Sequence, residues 1–531
     1  MSLTRRVLLG ALGVAGTLPL LHLAHGEAAH RLTILHMNDF HSRHEPVDGR
    51  ALGCTPGPAS PQCFGGVAHL ANALREAHVA AERDGREVLV LDAGDQFQGS
   101  LFYTVHKGDA ELAVMRLLGT EAMTLGNHEF DDGPTNLARF VRAAPFPVLA
   151  CNVDARAEPA LAGLIKPYTL FDRAGLRIGV VGVTTPQALA DSQPGPNVRI
   201  ADPDQPLAKA AGSCRAEGAR LVIALSHLGI DEDRRLAGEV PGVAVFIGGH
   251  SHTLLSNTEP GAAGPHPLVQ DGPAGRAVVV QAGCFGRYVG RLDIDLTSDG
   301  TVLAYGGDCV HVSPTLPEDP AVAATVARFA APLDAARRRP IGNASAVLGN
   351  EGCREQECAF GDFVADAALD AVHGADVALL NAGSLRTGLP SGALTLGDVM
   401  QALPFGNTLA TVQLHGRDLR DAVAYGLSRQ GWGAFPIFAG MRVHWNPATR
   451  ELLRVEVRTA AGSYEPLDPD RLYTVATHDY LRRGGDGYAI VRDKGLHPYD
   501  GGSGLDVVVA GAIARAAGDV RAAPDGRLVA R

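Results

Sequence analysis

The chain has 531 residues, more than one ordinary hydrophobic core organises, so two large domains are expected. The composition is that of a globular protein, 46% hydrophobic and 20% charged, and the formal net charge of -11 excludes the broad basic face that a nucleic-acid polymer requires. A local basic pocket for a small anion stays compatible with that balance.

Thr4-Arg5-Arg6 opens a weakly apolar run to Leu23, followed by Ala24-His25-Gly26-Glu27-Ala28-Ala29. A charged start, an apolar middle and small residues near a cleavage point spell a secretory signal over residues 1–29, and the arginine pair suggests the twin-arginine route. The competing reading is a membrane anchor, which Gly, Thr and Pro within the run argue against. The tail from Gly518 to Arg531 is largely polar and short, so no stable membrane anchor is expected after signal removal. The expected location is periplasmic or secreted. Export makes the cysteines candidates for pairing: Cys54 with Cys63 across a Pro/Gly loop, and Cys353 with Cys358 across a short polar one. Cys151, Cys214, Cys284 and Cys309 lie in or beside apolar runs and read as buried free thiols.

Arg31 to Asn38 is a strand that runs into Asp39-Phe40-His41, an acid and an imidazole two residues apart at a strand end. Val67 to Asp84 has helical apolar spacing, and Glu87 to Leu91 is a buried strand ending in Asp92-Ala93-Gly94-Asp95. Ala110 to Leu118 is a helix, and Glu121 to Thr124 a short apolar strand. It leads into Leu125-Gly126-Asn127-His128-Glu129-Phe130-Asp131, where the glycine is expected to permit a sharp turn. Asn127 offers a neutral oxygen there, His128 an imidazole, and Asp131 a carboxylate able to orient it.

A helix from Leu137 to Ala143, strands at Pro147–Cys151 and Arg177–Val183, and a helix from Pro206 to Glu217 continue the rhythm. Leu221 to Leu225 then ends in Ser226-His227, and Val243 to Ile247 in Gly248-Gly249-His250-Ser251-His252. Asp39, His41, Asp95, Asn127, His227, His250 and His252 therefore all lie just past expected strands, where open α/β sheets place their sites. Any one of them reads equally well as a hydrogen-bonded loop residue. Nothing in folding demands acid, amide and imidazole at five such loops, and seven donors of these types suit two metals sharing one carboxylate.

Asp-x-His, Gly-Asp, Gly-Asn-His-Glu and Gly-His-x-His in this order resemble the calcineurin-like metallophosphoesterases. The resemblance implies that Asp39, His41, Asp95 and His252 hold one metal, and that Asp95, Asn127, His227 and His250 hold the other, with Asp95 as bridge. It implies further that His128 is no ligand but contacts the phosphoryl oxygens and leaving group, with Asp131 behind it.

Gln281 to Ala304 alternates like antiparallel strands. Asp319 to Arg339 is helical and punctuated by prolines; it reads as an interdomain connector or as the last helix of the first domain. Beyond it, Cys358 to Asp362 begins a helix to Val372, and Val377 to Leu380 is a strand ending in Asn381-Ala382-Gly383-Ser384-Leu385-Arg386. Asn-Ala-Gly-x-x-Arg, Pro404-Phe405-Gly406 and Tyr480-x-x-x-Gly484-Gly485-Asp486-Gly487 resemble the C-terminal domain of the 5'-nucleotidases, which include UDP-sugar hydrolases. This resemblance implies that Phe405 and Tyr480 sandwich the base, that Asp486 accepts from the ribose, and that Arg354, Arg386 and Asn381 hold the phosphate end. Tyr480 stands where relatives commonly have Phe, and its hydroxyl is expected to bear on base preference.

The expected fold is α/β: an N-terminal four-layer αββα metallophosphoesterase sandwich over 30–318, a connector over 319–340, and a smaller α/β substrate-binding domain over 341–531. The expected activity is hydrolysis of 5'-nucleotides to nucleoside and phosphate by in-line attack of a metal-bridging hydroxide. Two divalent ions are implied, with Zn, Mn, Co and Mg all open, and a small nucleotide is the expected partner. UDP-sugar diphosphatase or cyclic-nucleotide phosphodiesterase activity, a thiohydrolase and an inert nucleotide-binding protein are the alternatives.

Overall fold

The computed structural model describes residues 21–22, 28–47, 63–173, 175–273, 275–313, 315–516, 520 and 523–531. Most of the expected signal segment and Cys54 lie outside the described residues.

Two sheets form the first half. One has seven strands in the order Leu21–His22, Val302–His311, Tyr288–Leu296, His30–Met37, Glu87–Asp92, Ala122–Thr124 and Val148–Leu149. The other has six, in the order Leu268–Gly272, Gly275–Val280, Val245–Ile247, Leu221–His227, Leu176–Thr184 and Tyr168–Arg173. Strand alternation decides which side chains meet between the sheets. Leu32, Ile34, Leu89 and Leu91 point inward to meet Ile178, Val180, Leu221 and Ile223, all buried in one core. Their neighbours Leu35, Val88 and Val90 point outward under the helix Val67–Arg83, while Val222, Ala224 and Phe246 face Leu207 and Leu236 of the helices Asp204–Ala216 and Ile230–Glu239. The result is the four-layer αββα arrangement.

This topology places the strand-end loops together. His30–Met37, Glu87–Asp92 and Ala122–Thr124 are parallel neighbours, as are Leu221–His227 and Val245–Ile247 in the other sheet. Their C-terminal ends open towards one region. Beneath it Phe97 and Phe130 are fully buried, Phe97 packing on Tyr103 at 4.7 Å and edge-on to Phe140 at 5.0 Å. The loop after Ala122–Thr124 therefore rests on an aromatic base.

Helices Pro320–Ala330 and Leu333–Arg337 occupy the stretch read as a connector. Val322 packs into the core beside the helix Val67–Arg83, whereas Phe329 and Leu333 join the core of the second half together with Leu101 and Phe102 of the first. That second half carries a five-stranded sheet, Pro436–Ala439, Val377–Asn381, Leu472–His478, Leu409–His415 and Leu496–Tyr499, and a separate four-stranded sheet. Helix Ala359–Ala371 begins at Cys358, which is bonded to Cys353. Cys63 is also disulfide-bonded. Cys151, Cys214, Cys284 and Cys309 are free, the second and fourth buried and the others half-buried.

Candidate metal centre

All seven predicted donors are drawn into one cluster. His252 Nε2 lies 3.3 Å from Asp39 Oδ1 and 3.0 Å from His41 Nε2. His227 Nε2 lies 3.1 Å from Asp95 Oδ2, and His250 Nδ1 is 3.1 Å from Asn127 Oδ1. Donor atoms of Asp39, His41 and His252 fall within 4.8 Å of one another, as do those of Asp95, His227 and His250. Asp95 Oδ2 also stands 3.7 Å from His41 Nε2, so this carboxylate lies between the two groups.

The backbone is strained where these side chains converge. Asp39, His41, Asp95, His250 and His252 all have positive φ, between 49° and 75°, a region that costs a residue with a Cβ about 1 to 3 kcal/mol. Neighbouring loops hold them there: Asp39 N–H donates to Gly94 O, His41 N–H to Asp95 O, and Phe285 N–H to Asp39 O. Gly126 has a different task from the one its sequence setting suggests. Its φ is not positive; instead a Cβ on it would lie 2.0 Å from Asp95 Oδ1, so the glycine gives the carboxylate its room.

Imidazole orientation is set from behind. His227 Nδ1–H donates to Ala93 O at 2.6 Å and His41 Nδ1–H to Phe97 O at 3.2 Å, which turns each Nε2 towards the carboxylates, where its lone pair serves a cation once Nε2 is free of a proton. Asn38 Nδ2 donates to Asp39 Oδ2 at 2.7 Å, and the His250 N–H donates to the same carboxylate.

Sequence reasoning passed over several supporting residues. Glu129 accepts from the N–H groups of Asp95, Gln96, Phe97 and Gly126, clamping the Asp95 loop to the Asn127 loop. Its place in Gly-Asn-His-Glu was the available signal. Gln187 Oε1 meets His250 Nε2 at 3.0 Å. Tyr499 comes from the second half: Asn127 Nδ2 donates to its hydroxyl at 2.7 Å, and its ring lies 4.8 Å from that of His250. No sequence signal points to it, since the contact depends on how the halves dock.

His128 stands beside the cluster, its Nδ1 2.7 Å from Asp131 Oδ2 and its backbone N–H donating to Asp95 Oδ1. Burial pushes this imidazole down, but Asp131 and Asp95 outweigh it and lift it to about 9 in the metal-free chain. Burial likewise opposes His227, which Asp95 and Asp39 raise to about 10. His41 and His250 are held neutral, burial lowering both to about 3. Burial works against the Asp95 carboxylate as well, and His227 and His128 hold it well below the usual range.

These residues fit divalent cations. Asp95 Oδ2 and His227 Nε2 are buried atoms with no hydrogen-bond partner, and they face each other across 3.1 Å. Carboxylate, amide oxygen and imidazole are the donors that Zn, Mn, Co and Mg accept between them.

The predicted residues of the second half line two cavities. Phe405, Tyr480, Asp486 and Asn381 line a cavity of about 590 Å³, with Cys284, Phe285 and Arg287 of the first half on its other wall. Arg354 and Arg386 line another, of about 300 Å³. Asn381 is not with them: it hydrogen-bonds Asp486 at 2.7 Å. Neither cavity is lined by any of the seven donors. Arg483, in the wall of the larger one, grips Asp500 at 2.9 Å, next to Tyr499.

Fold and site together define a metallophosphoesterase, a hydrolase of phosphate monoesters. Residues 32–254 match the calcineurin-like phosphoesterases, and residues 340–493 the 5'-nucleotidase C-terminal domain. Snake venom 5'-nucleotidase of Naja atra is 33% identical over 529 residues, covering 94% of this chain and 98% of its own. Human 5'-nucleotidase is 32% identical over 510 residues, 90% of this chain and 88% of its own. The chain belongs to the 5'-nucleotidase family. Among solved structures, the 5'-nucleotidase precursor of Thermus thermophilus is 36% identical with a TM-score of 0.60, covering 94% of this chain and 99% of its own. The NAD nucleotidase of Haemophilus influenzae, at 24% identity and the same coverages, shares the fold with a TM-score of 0.81.

At pH 7.5 the metal-free chain keeps a proton on His227, because that pH lies below its raised value of about 10. A cation needs the nitrogen lone pair, so metal uptake releases protons and tightens as pH rises. Calorimetric titration with Zn or Mn in two buffers of different ionisation enthalpy is expected to give different apparent heats. Equal heats would mean that no proton leaves the site, so that His227 is either unprotonated beforehand or not a ligand.

Proposed function

We propose that the protein is an exported phosphohydrolase that cleaves 5'-nucleotides into nucleoside and phosphate. The observation that carries this reading is the pairing of the buried donor cluster with His128, whose Nδ1 is tied to Asp131 while its buried Nε2 has no hydrogen-bond partner. Asp39, His41, Asp95 and His252 would hold one cation, and Asp95, Asn127, His227 and His250 a second. When bound, the ions supply Lewis-acid polarisation of the phosphoryl oxygens and an acidified water.

The chain's own residues account for the rest. Asp131 keeps the His128 imidazole in one orientation and raises its proton affinity, which favours a proton on Nε2. That N–H stabilises charge developing on a phosphoryl oxygen and protonates the departing nucleoside oxygen. Phe405 and Tyr480 stack on the base, which contributes about 1 to 3 kcal/mol and tolerates many bases. Asp486 accepts from the ribose, and Arg354 and Arg386 hold the phosphate end by their planar forks.

Because the donors line neither cavity and Tyr499 sits against Asn127 and His250, the reading requires the two halves to rotate between substrate capture and hydrolysis. Support comes from the superpositions. The Thermus chain is nearer in sequence yet superposes less well than the Haemophilus chain over the same 94% of this chain, as differing domain placements would produce. Export is supported by the charged, apolar N-terminus and by the Cys353–Cys358 disulfide. No helix among the described residues is long and apolar enough to cross a membrane.

Phosphate release from AMP, UMP, UDP-glucose, ADP and a cyclic nucleotide, with enzyme reloaded separately with Zn, Mn, Co and Mg, tests the assignment. Monophosphates are expected to be hydrolysed and chelator to abolish it; His128→Ala should lower turnover by about 10²-fold or more with metal content near wild type. No release with metals bound would refute the reading, and joint loss of turnover and metal in His128→Ala would make His128 a ligand. Cross-linking the halves in the arrangement described should stop turnover while leaving nucleoside binding; undiminished turnover would remove the rotation.

A further inference from the structure

Tyr480 differs from a simple stacking ring in what its hydroxyl does. The hydroxyl donates to Asp486 Oδ1 at 2.8 Å and accepts from the Asp486 N–H at 3.1 Å. The other carboxylate oxygen, Oδ2, accepts from Asn381 Nδ2 at 2.7 Å. Asn381 is itself oriented by His478, whose Nε2 reaches Asn381 Oδ1 at 2.8 Å while its Nδ1 accepts from the Leu481 N–H. These directions agree with a neutral ring, since burial lowers His478 to about 4.

Asp486 is held in the left-handed region at φ 51°, with its carbonyl accepting from the Tyr425 hydroxyl at 2.8 Å. Gly485 allows the tyrosine to lie over this turn, because a Cβ there would come within 2.5 Å of the Tyr480 ring. Tyr480 is 43% exposed, so water could satisfy its hydroxyl equally well. Burial therefore does not dictate the bond; its effect is to fix the carboxylate.

A carboxylate offers about four lone-pair sites. With one protein donor on each oxygen, Asp486 is fixed from both sides and keeps one further acceptor site on each oxygen. That is the complement of two adjacent hydroxyl groups. Resting on the reading that the 590 Å³ cavity takes the nucleoside, we propose that the Tyr480 hydroxyl is a positioning group that makes Asp486 select a cis-diol sugar, so that ribonucleosides are preferred to 2'-deoxyribonucleosides. The hydroxyl thus bears on sugar choice rather than base choice.

Calorimetric titration of the full-length protein with adenosine and 2'-deoxyadenosine tests this, comparing wild type, Tyr480→Phe and Phe405→Ala. Wild type is expected to prefer adenosine by roughly tenfold. Tyr480→Phe keeps the ring and should narrow that preference by about fivefold, through weaker adenosine binding. An unchanged preference would make the hydroxyl merely structural, and a widened one would make it a competitor of the sugar; both overturn the proposal. If wild type binds neither nucleoside, or Phe405→Ala leaves both affinities as they were, the cavity does not take the nucleoside and the proposal falls with that reading.

Discussion

Two carboxylates, Asp39 and Asp95, are fully buried, and the first half of the molecule is organised around making that tolerable. Taking an ion out of water costs several kcal/mol even after relaxation, while one opposite charge at about 4 Å returns roughly 4 kcal/mol at an effective dielectric of 20. One partner is therefore not enough. Asp95 faces His227, has His41 within reach and accepts the His128 N–H, and Asp39 faces His252 and accepts from Asn38 and His250. Five residues in left-handed backbone, a glycine without room for a Cβ and the Glu129 clamp are what this convergence demands locally. Divalent cations would take over this compensation from the protonated imidazoles, and the two carboxylates with the lone pairs so released are what would retain them.

Much of this was legible in the sequence. Continuous apolar runs marked the parallel strands, alternation marked the stretch from Gln281 to Ala304, and donor residues recurred directly after the parallel strands, so the α/β class, the strand ends and the seven-residue cluster could be read before any coordinates, whereas Tyr168–Arg173, Leu268–Gly272 and Gly275–Val280 were not. Local chemistry explains why: strand periodicity and a polar residue after a strand are properties of a few neighbouring positions. Glu129 could have been read from its motif, but its four backbone partners belong to two loops about thirty positions apart. Tyr499 could not, because its contact with Asn127 spans 372 positions and depends on docking of the halves. The same holds for Asn381, placed by motif with the arginines and found beside Asp486.

The second half keeps its cavities apart from the donor cluster. Its larger cavity collects aromatic faces and a carboxylate with fixed acceptors, its smaller one two arginines, and its Tyr499 reaches over to the donor cluster. Arg483 joins these features, lining the larger cavity and gripping Asp500 beside Tyr499. A ligand entering that cavity meets a residue connected through one ion pair to the strand that lies on the metal centre. Occupancy and domain placement are thereby coupled in the proposed cycle.

Metal stoichiometry tests whether Asp95 is shared by two cations, as proposed. Wild type, Asn127→Ala and Asp95→Ala would each be loaded with Zn or Mn, desalted and analysed by elemental mass spectrometry alongside a fold check by circular dichroism. Two ions are expected in wild type, one in Asn127→Ala and neither tightly held in a folded Asp95→Ala protein. A folded Asp95→Ala protein that retains as much metal as Asn127→Ala would contradict a shared carboxylate.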